Sequence, residues 1–542
     1  MSAKPSSTLL SCLPLGVGQG GDGVCLSLQV GPYRLLLDSG FISSSPDLPD
    51  LAPDWIFVSH AQSDHAQALL SWRRQFLNVP VYASSVTTQL LPLNWPGESG
   101  TDFCQPWAWR SPYHLAPDLT AEIFPAGHLP GAASLCLRYY TRKRTYKILY
   151  TGAFCLSNFQ LVDGLNLEPL RGLRPDVLIL EGTYGTARHP HRRQQEKNLM
   201  ARIDRALSEG ENVLLPMQPL GSGQEVLKLL RSHHQFTGRD LDIWVGGRVM
   251  TACDHYLELL DELPSAVRNF AKHQPLFWDD KVKPRGRRLE SPQDLHQTTG
   301  PMVLITDEPA DFELARLPAN QYWRLLLPET PQQDPLRQAF VRLTQSPQVT
   351  LDTYLLAEHS DGRNTIQLIH NLRPQHLVLV NGSSDYLNDL ACLPELANRY
   401  QIHCPQARHL VELPLGNRFV QPAAPEPAPF EGEVNETRDR IVIGLPKELT
   451  QAARWEQFAA SGLVEARWQG DSLVLRGVSP RELLSQTRGA AGWDSQPHCR
   501  GCRFWRNQYC WQAESPFCGL KVAPDSYCPS FAPQEDVEMD LA

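Results

Sequence analysis

The sequence predicts an α/β protein built from more than one domain, and three observations support this prediction. The chain has 542 residues, well beyond the ~250–300 residues at which one hydrophobic core usually stops growing. The N-terminal part contains short apolar runs that end in turns or polar loops, as strands do. From about residue 195 such runs alternate with helical periodicity, which is typical of repeating β-α units.

The composition is that of a folded protein rather than a disordered one, because 42% of the residues are hydrophobic and 20% are charged. No apolar run approaches the ~20 residues needed to span a bilayer. The N-terminus has a short apolar stretch that Pro14 and Gly16 interrupt, which makes a poor signal peptide. We therefore expect a cytoplasmic protein that does not contact a membrane.

The net charge of −9 gives the chain no overall positive field that would attract nucleic acid. Basic clusters nevertheless occur at 138–147, 188–197 and 281–288. Runs of charge are usually solvated surface, but a local phosphate-binding groove is compatible with a negative net charge. Within the second cluster, Arg192 and Arg193 are the candidate nucleic-acid-binding residues.

The N-terminal part is expected to consist mainly of strands, with one helix over residues 65–76. The predicted strands, in chain order, lie in VCLSLQV, YRLLLDSG, DWIFVSH, VPVYAS, TAEIFPAGH, SLCLRYY, YKILYTGAF and DVLILEGTYG. Unusual polar residues stand at the ends of these strands. Sites in layered α/β folds are found at such positions.

The following part is expected to alternate between helices and strands. QQEKNLMARIDRALSEG is a predicted helix that closes on Gly210, and NVLLPM, SGQEVLKLLRSHH and LDIWVGG give strand, helix and strand. Residues 421–436 are rich in Pro, Ala and Glu and are expected to form an extended linker. A small α+β unit over 437–487 should follow, and the last residues, 535–542, should be disordered.

The segment from Ser59 to His65, SHAQSDH, is the main candidate for a metal site. It follows an apolar strand and brings His60, Asp64 and His65 close together in sequence. Imidazole and carboxylate groups are ligands that Zn²⁺ prefers, and closely spaced ligands after a strand can be aimed at one point. This spacing alone also occurs by chance, so further landmarks are needed.

These landmarks are present in the sequence. Asp38 lies in LLLDSG, His128 in AGHLPGA, and YTGAF follows. Their order and spacing resemble the metallo-β-lactamase superfamily. Three later segments resemble the β-CASP branch of that superfamily: LEGTYG with His189 after it, VLLPMQPLGSGQEVLKLL, and AEHSD, with LVNG where a last motif is expected.

The resemblance implies a metallo-β-lactamase αββα sandwich with an inserted β-CASP α/β domain. The sandwich would comprise 1–195 and 351–420, and the insert would comprise 196–350. Members of this family are mostly RNA phosphodiesterases that use two zinc ions. By this resemblance the candidate catalytic residues are Asp64 as general acid or base, with Glu181 and His359 assisting.

The departures from the family pattern affect the metal ligands. The family carries a histidine at the position of Gln62, a bridging aspartate at Ala153 and a last histidine at Asn381. The implied first metal keeps His60 and His128, and the second keeps Asp64 and His65. Hydrolysis by two metals needs both ions held close together, so we expect a weak cleft site or one whose former ligands only form hydrogen bonds.

Two hypotheses about function follow. The first is a pseudoenzyme: a nuclease-like RNA-processing protein that binds single-stranded RNA, or an active paralogue or other protein, without cutting. The second is an active zinc-dependent phosphodiesterase, an RNase-type hydrolase with a reduced metal site. The three changes at Gln62, Ala153 and Asn381 favour the first hypothesis, and the retention of Glu181 and His359 favours the second.

The C-terminal segment 488–534 is a candidate metal-binding module. Its cysteines are Cys499, Cys502, Cys510, Cys518 and Cys528. A Cys-x-x-Cys pair with later cysteines can complete a tetrahedral thiolate site, and four of these five would bind. So short a segment needs such a staple to fold. Zinc and an iron–sulfur cluster both fit the spacing.

Overall fold

The structure is a computed structural model of the chain. It describes residues 9–18, 22–40, 52–298, 300–310, 312, 321–330, 335–416, 433–437, 440–444, 464–469, 472–477, 502–506 and 509–512. The chain divides into two compact units, Met1–Ala424 and Pro425–Ala542. Among the described residues, no helix is both long enough and apolar enough to cross a membrane.

The first half of the first unit consists mainly of strands, and strands and helices alternate from α4 (Arg192–Ser208) onward. The strands are β1 (Leu10–Val17), β2 (Val24–Val30), β3 (Tyr33–Leu37), β4 (Trp55–Phe57), β5 (Val81–Ser84), β6 (Cys104–Trp107), β7 (Tyr113–Ala116), β8 (Leu119–Pro125), β9 (Ala133–Tyr140), β10 (Thr145–Tyr150), β11 (Val177–Glu181), β12 (Asn212–Pro216), β13 (Asp242–Val245), β14 (Arg285–Arg288), β15 (Met302–Thr306), β16 (Trp323–Pro328), β17 (Val349–Tyr354), β18 (His376–Val380), β19 (Gln401–His403) and β20 (Val411–Glu412). The helices are α1 (Ser63–Ala66), α2 (Leu69–Gln75), α3 (Ser85–Leu90), α4 (Arg192–Ser208), α5 (Ser222–Ser232), α6 (Gly247–Glu258), α7 (Ser265–Ala271), α8 (Pro335–Val341), α9 (Gly362–Leu372), α10 (Ser384–Ala391) and α11 (Pro394–Ala397).

Two seven-stranded sheets carry the candidate site. The first has the order β20-β1-β2-β3-β4-β5-β6, and the second has the order β19-β18-β11-β10-β9-β8-β7. In the first sheet β1, β2 and β3 pair antiparallel and β3 to β6 pair parallel. In the second, β10, β11, β18 and β19 pair parallel.

Alternation of side chains along the strands explains why the two sheets are layered. Leu35 and Leu37 of β3 belong to one apolar cluster that β8 to β11 also line, which places it between the sheets. Leu36 belongs to a different cluster that contains Trp72 of α2. Because successive side chains of a strand point to opposite faces, each sheet buries one face on the other sheet and one on helices. This is a metallo-β-lactamase-like α/β arrangement.

A third sheet of six parallel strands has the order β14-β13-β15-β12-β16-β17. It shares no strand with the other two among the residues described. Its last strand, β17, crosses the boundary expected at residue 350. The assignment of 1–195, 196–350 and 351–420 to separate domains stays a prediction.

The helix expected over 65–76 is two helices, α1 and α2, with Gln67 and Ala68 between them. The backbone N–H of Ala68 donates to the carbonyl of Ser39, and the backbone N–H of Ser39 donates to the carbonyl of His65. Ser39, in the loop after β3, thus makes hydrogen bonds at the junction between α1 and α2. By contrast, α4 ends at Ser208, close to the expected stop at Gly210, whose φ is 82°.

The second unit has hairpins wherever it is described. They are β21 (Glu433–Thr437) with β22 (Arg440–Gly444), β23 (Val464–Gln469) with β24 (Ser472–Gly477), and β25 (Trp505–Arg506) with β26 (Tyr509–Cys510). The strand β21 begins inside the stretch expected as a linker over 421–436. Residues 535–542 lie outside the described part.

Candidate metal centre

The loop after β4 and the short helix α1 bring two buried histidines side by side. His60 and His65 are almost fully buried, and their ring centroids are 4.1 Å apart. Asp64 lies between them in sequence on the exposed side of α1, with 52% of its side chain accessible. The donor atoms of His60, Asp64 and His65 all lie within 4.8 Å of one another.

Asp38 holds the loop that carries His60 and contacts His65 directly. Its carboxylate, which is fully buried, accepts hydrogen bonds from the Ser59 backbone N–H (2.6 Å), the Ser59 hydroxyl (2.7 Å) and the Tyr150 hydroxyl (2.5 Å). It also lies 2.6 Å from Nδ1 of His65. A carboxylate on Nδ1 fixes the ring and directs Nε2 outward, which is how metal-ligating histidines are commonly oriented.

The outer nitrogens of both histidines fit a cation. Nε2 of His60 and Nε2 of His65 are buried without a hydrogen-bond partner among the described residues. Burial keeps the pKa of His60 well below its usual value, so its imidazole is neutral, as a ligand must be. Burial lowers the pKa of His65, but Asp64 and Asp38 outweigh it and raise that pKa to about 9. His65 must therefore lose a proton to bind a metal.

His128 lies beside His60, with ring centroids 4.9 Å apart, but both of its ring nitrogens face other oxygen atoms. Its Nε2 lies 2.7 Å from Oε1 of Gln62, and its Nδ1 lies 2.9 Å from the carbonyl oxygen of Glu358. Burial, followed by the neighbouring His359, lowers the pKa of His128 to about 3. A neutral imidazole has one N–H, so it can donate to only one of the two oxygens.

Gln62, at the position of a family histidine, makes a second contact. Its Nε2 donates to the carbonyl oxygen of Leu220 at 3.0 Å. Leu220 lies between β12 and α5, in the part of the chain that carries the third sheet. The side chain of Gln62 therefore joins His128 to that loop.

Glu181 and His359 form a pair beside His128. Oε2 of Glu181 lies 2.7 Å from Nδ1 of His359, and its other oxygen accepts from the Phe154 backbone N–H at 2.5 Å. Burial lowers the pKa of His359, but the Glu181 carboxylate outweighs it, so that pKa is raised. The ring of His359 stacks on that of His128, with centroids 4.6 Å apart.

The other two departures from the family pattern, Ala153 and Asn381, lie in buried positions. Ala153 is 1% exposed and carries no donor atom. Asn381 has a φ of 52°, donates its backbone N–H to the carbonyl of Val17, and accepts the Thr183 hydroxyl on its own carbonyl. In the described residues the donor set near His60 and His65 therefore fits one cation, through two imidazoles and a carboxylate. It lacks the bridging carboxylate for a second.

The structure does not place both candidate RNA contacts on the surface. Arg192 is buried, donates to the carbonyl of Ala357 at 2.7 Å, and stacks on Phe159 at 4.3 Å. Its expected availability to phosphate is therefore corrected: the guanidinium is committed to the backbone inside the protein. Arg193, next to it, is exposed.

Several side chains of the other two basic clusters are paired with acids. In the third cluster Arg285 and Arg287 contact Asp242, and Arg288 contacts Asp254. In the first, Arg138 contacts Glu122 and Arg144 contacts Asp176. Such pairs neutralise the local field that an RNA groove would need.

The C-terminal cysteines are only partly described. Cys502 and Cys510 are buried in the second unit, at the hairpin of β25 and β26. Cys499, Cys518 and Cys528 lie outside the described residues. The metal-binding assignment of these five cysteines stays a prediction.

Some residues of the site were not identified from sequence. Glu358 contributes its carbonyl to His128, and Leu220 contributes its carbonyl to Gln62. Backbone carbonyls carry no sequence signal. The burial of Arg192, by contrast, has a sequence signal. The buried residues of α4 include Arg192, Gln195, Glu196, Leu199, Met200 and Ile203. This is the spacing of an inward-facing helix stripe.

No protein-family model matches the chain. The uncharacterized protein sll0514 of Synechocystis sp. is 48% identical over 535 residues, which cover 96% of this chain and 96% of that protein. Probable RNase MJ4 of Methanocaldococcus jannaschii is 27% identical over 277 residues, or 45% of this chain and 62% of that protein. Ribonuclease TTHA0252 of Thermus thermophilus is 26% identical over 326 residues, or 54% of this chain and 71% of that protein.

Two of these relatives are named as ribonucleases. The two layered seven-stranded sheets and the cluster of His60, Asp64 and His65 after β4 agree with that similarity. The chain belongs to the β-CASP family of RNA nucleases within the metallo-β-lactamase superfamily.

Proposed function

We propose that this β-CASP protein acts in RNA processing by binding RNA, or a protein partner, with a cleft that does not support two-metal hydrolysis. The observation that carries the proposal is Ala153. This residue is buried and has no donor atom where the family has its bridging carboxylate. A two-metal mechanism requires both ions to be held close together, so that one activates water and both clamp the phosphate.

The engagement of Gln62 supports the same proposal. In place of an imidazole that would bind the first metal, this side chain contacts His128 and Leu220. His128 is thereby directed to an amide oxygen. Of the implied first metal's ligands, this leaves His60 with an outer nitrogen that has no hydrogen-bond partner in the part of the chain that the structure describes.

A second candidate is a phosphodiesterase with one metal. It is favoured by the grouping of His60, Asp64 and His65 and by the Glu181–His359 pair. A zinc ion held by the first three residues would supply Lewis-acid polarisation of a phosphate oxygen. Protonated His359, whose pKa Glu181 raises against the effect of burial, could then donate a proton to a leaving oxygen.

The test is a binding and cleavage assay with a labelled single-stranded RNA in the presence of Zn²⁺ or Mn²⁺. The proposal predicts RNA binding, or capture of a protein partner, with no cleavage above that of a buffer control. Robust cleavage that disappears in both Asp64→Ala and His128→Ala would establish the second candidate instead. The two variants are needed together because a contaminating nuclease would not respond to either.

A further inference from the structure

Gln62 crosses between two parts of the first unit. It stands at the start of α1, among the candidate ligands, and its Nε2 donates to the carbonyl of Leu220 at 3.0 Å. Leu220 precedes α5, which packs beneath the third sheet, and it lies 158 residues further along the chain. The Oε1 of the same amide lies 2.7 Å from Nε2 of His128.

A small cavity lies beside His128. His128, Phe159, Gly221 and Glu358 help to line it, and its volume is about 10 Å³. About 10–15 Å³ is the minimum that accommodates a single water molecule. A phosphodiester can therefore occupy this space beside His128 only if the residues around Gly221, next to Leu220, move away.

Other contacts across the same boundary are held by groups outside the candidate ligand set. The carboxylate of Glu225 in α5 accepts the backbone N–H groups of Gln160 (2.7 Å) and Leu161 (2.8 Å). Glu225 and Leu161 are buried, whereas Gln160 and Gln62 are half-buried. The contact between Gln62 and Leu220 is therefore among the more accessible contacts at this boundary.

We propose that Gln62 is a positioning residue that fastens the Leu220 loop over the histidine cleft, and that single-stranded RNA enters when this fastening opens. The entry of RNA rests on the proposed function, whereas the fastening itself does not. Gln62, at the position of a family ligand, would thus control how easily RNA reaches the histidines by holding the Leu220 loop in place. A protein that must open before binding associates more slowly than one with an open site.

Three variants separate the parts of this contact. Gln62→Leu is similar in size and removes both hydrogen bonds. Gln62→Glu keeps an acceptor for His128 but cannot donate to the Leu220 carbonyl, so it should behave like Gln62→Leu. Gln29→Leu is the matched control, because Gln29 is also half-buried and its Nε2 donates to a backbone carbonyl, that of Gly31, at 2.9 Å.

The first measurement is hydrogen–deuterium exchange of the full-length protein, followed in peptides that cover 217–225. Loss of one hydrogen bond should speed exchange there by roughly two- to tenfold in both Gln62 variants. Exchange in β2 and β9 should not change, which excludes general loosening. Unchanged exchange at 217–225, or an equal rise in Gln29→Leu, would overturn the fastening.

The second measurement is the association rate of a fluorescent single-stranded RNA at low salt. It should rise in Gln62→Leu by a factor similar to that of the exchange rate. A faster exchange with an unchanged association rate would overturn the link to RNA entry. If no variant binds RNA at all while exchange is still faster, the RNA-binding function is wrong and the fastening stands.

Discussion

Nδ1 of His65 lies 2.6 Å from Oδ2 of Asp38, and both side chains are buried. Asp38 is at the end of β3 and has a φ of 58°, a left-handed conformation that Asp tolerates better than most residues. A carboxylate that orients a candidate ligand is thus present, whereas the family resemblance implies metal ligands at three positions where this chain has Gln62, Ala153 and Asn381. Asp38 also accepts hydrogen bonds from the hydroxyl groups of Ser59 and Tyr150. It therefore stabilises the loop after β4 as well as orienting the histidine.

Asp38→Asn should destabilise the protein by about 2–4 kcal/mol even if the cleft never binds metal. The amide cannot accept all the hydrogen bonds that the carboxylate accepts, so buried donors lose their partner. Asp54→Asn is the control, because Asp54 is exposed and accepts one backbone N–H, that of Arg34, at 2.8 Å. Chemical denaturation of both variants measures the difference, and equal stability would mean that Asp38 acts only on a metal.

Glu225→Gln should change how stability depends on pH. Burial raises the pKa of Glu225 to about 7, although Arg192 and two backbone donors oppose the shift. A raised pKa contributes stability that is fully present below the unfolded value, near 4.5, and is lost as pH rises through about 7. Relative to the parent, the variant should therefore gain ~1–3 kcal/mol between about pH 5 and about pH 8.

Glu98→Gln is the control for that measurement, since Glu98 forms an exposed ion pair with Arg74. Glu98→Gln should change the free energy of unfolding only slightly at both about pH 5 and about pH 8. If the difference between Glu225→Gln and the parent is the same at both pH values, the carboxylate is ionised in the folded protein throughout. The hydrogen bonds to Gln160 and Leu161 would then dominate over burial.

Arg193 and Arg192 should respond differently to substitution, although they are neighbours. Arg193→Glu should weaken RNA binding without affecting stability and should flatten the salt dependence, whose log–log slope is about −0.7 per phosphate contact for single strands. Arg192→Gln should instead lower the free energy of unfolding by about 1–3 kcal/mol, because its hydrogen bond to the Ala357 carbonyl is buried. Equal loss of RNA affinity with unchanged stability in both would contradict the burial of Arg192.

The strands were predictable because apolar runs and polar strand ends are local properties of the sequence, whereas the layering of the sheets was expected only from the family resemblance. The assignment of His60, Asp64, His65 and His128 as ligands rests on the same resemblance, because their local spacing also occurs by chance, and it stays a prediction. The contact between Gln62 and Leu220 could not be predicted, since it depends on how the third sheet's loop meets α1. The charge of its basic run does not indicate the burial of Arg192, whereas its place on the inward stripe of α4 does.

The cysteine module should bind one metal centre through Cys499, Cys502, Cys528 and one of Cys510 or Cys518. Metal binding would supply folding energy that so short a segment lacks. Cys502→Ser should remove about one zinc, or the visible absorption of an iron–sulfur cluster, from anaerobically purified protein. Cys392→Ser, at an exposed cysteine in the first unit, should leave the metal content unchanged. Absence of both metals from the parent protein would refute the centre.

Zinc content per chain, compared between the parent and a His60→Ala, His128→Ala double variant, shows directly whether the cleft can hold the two metal ions that hydrolysis needs. The difference isolates the cleft, since any metal on the tail is common to both proteins. We predict a difference of at most one zinc per chain, because the described donor set fits one cation. We also predict that Gln62→His with Ala153→Asp and Asn381→His raises the content of the cleft toward two. A parent protein whose cleft already holds two zinc ions, both lost in the double variant, would contradict the account.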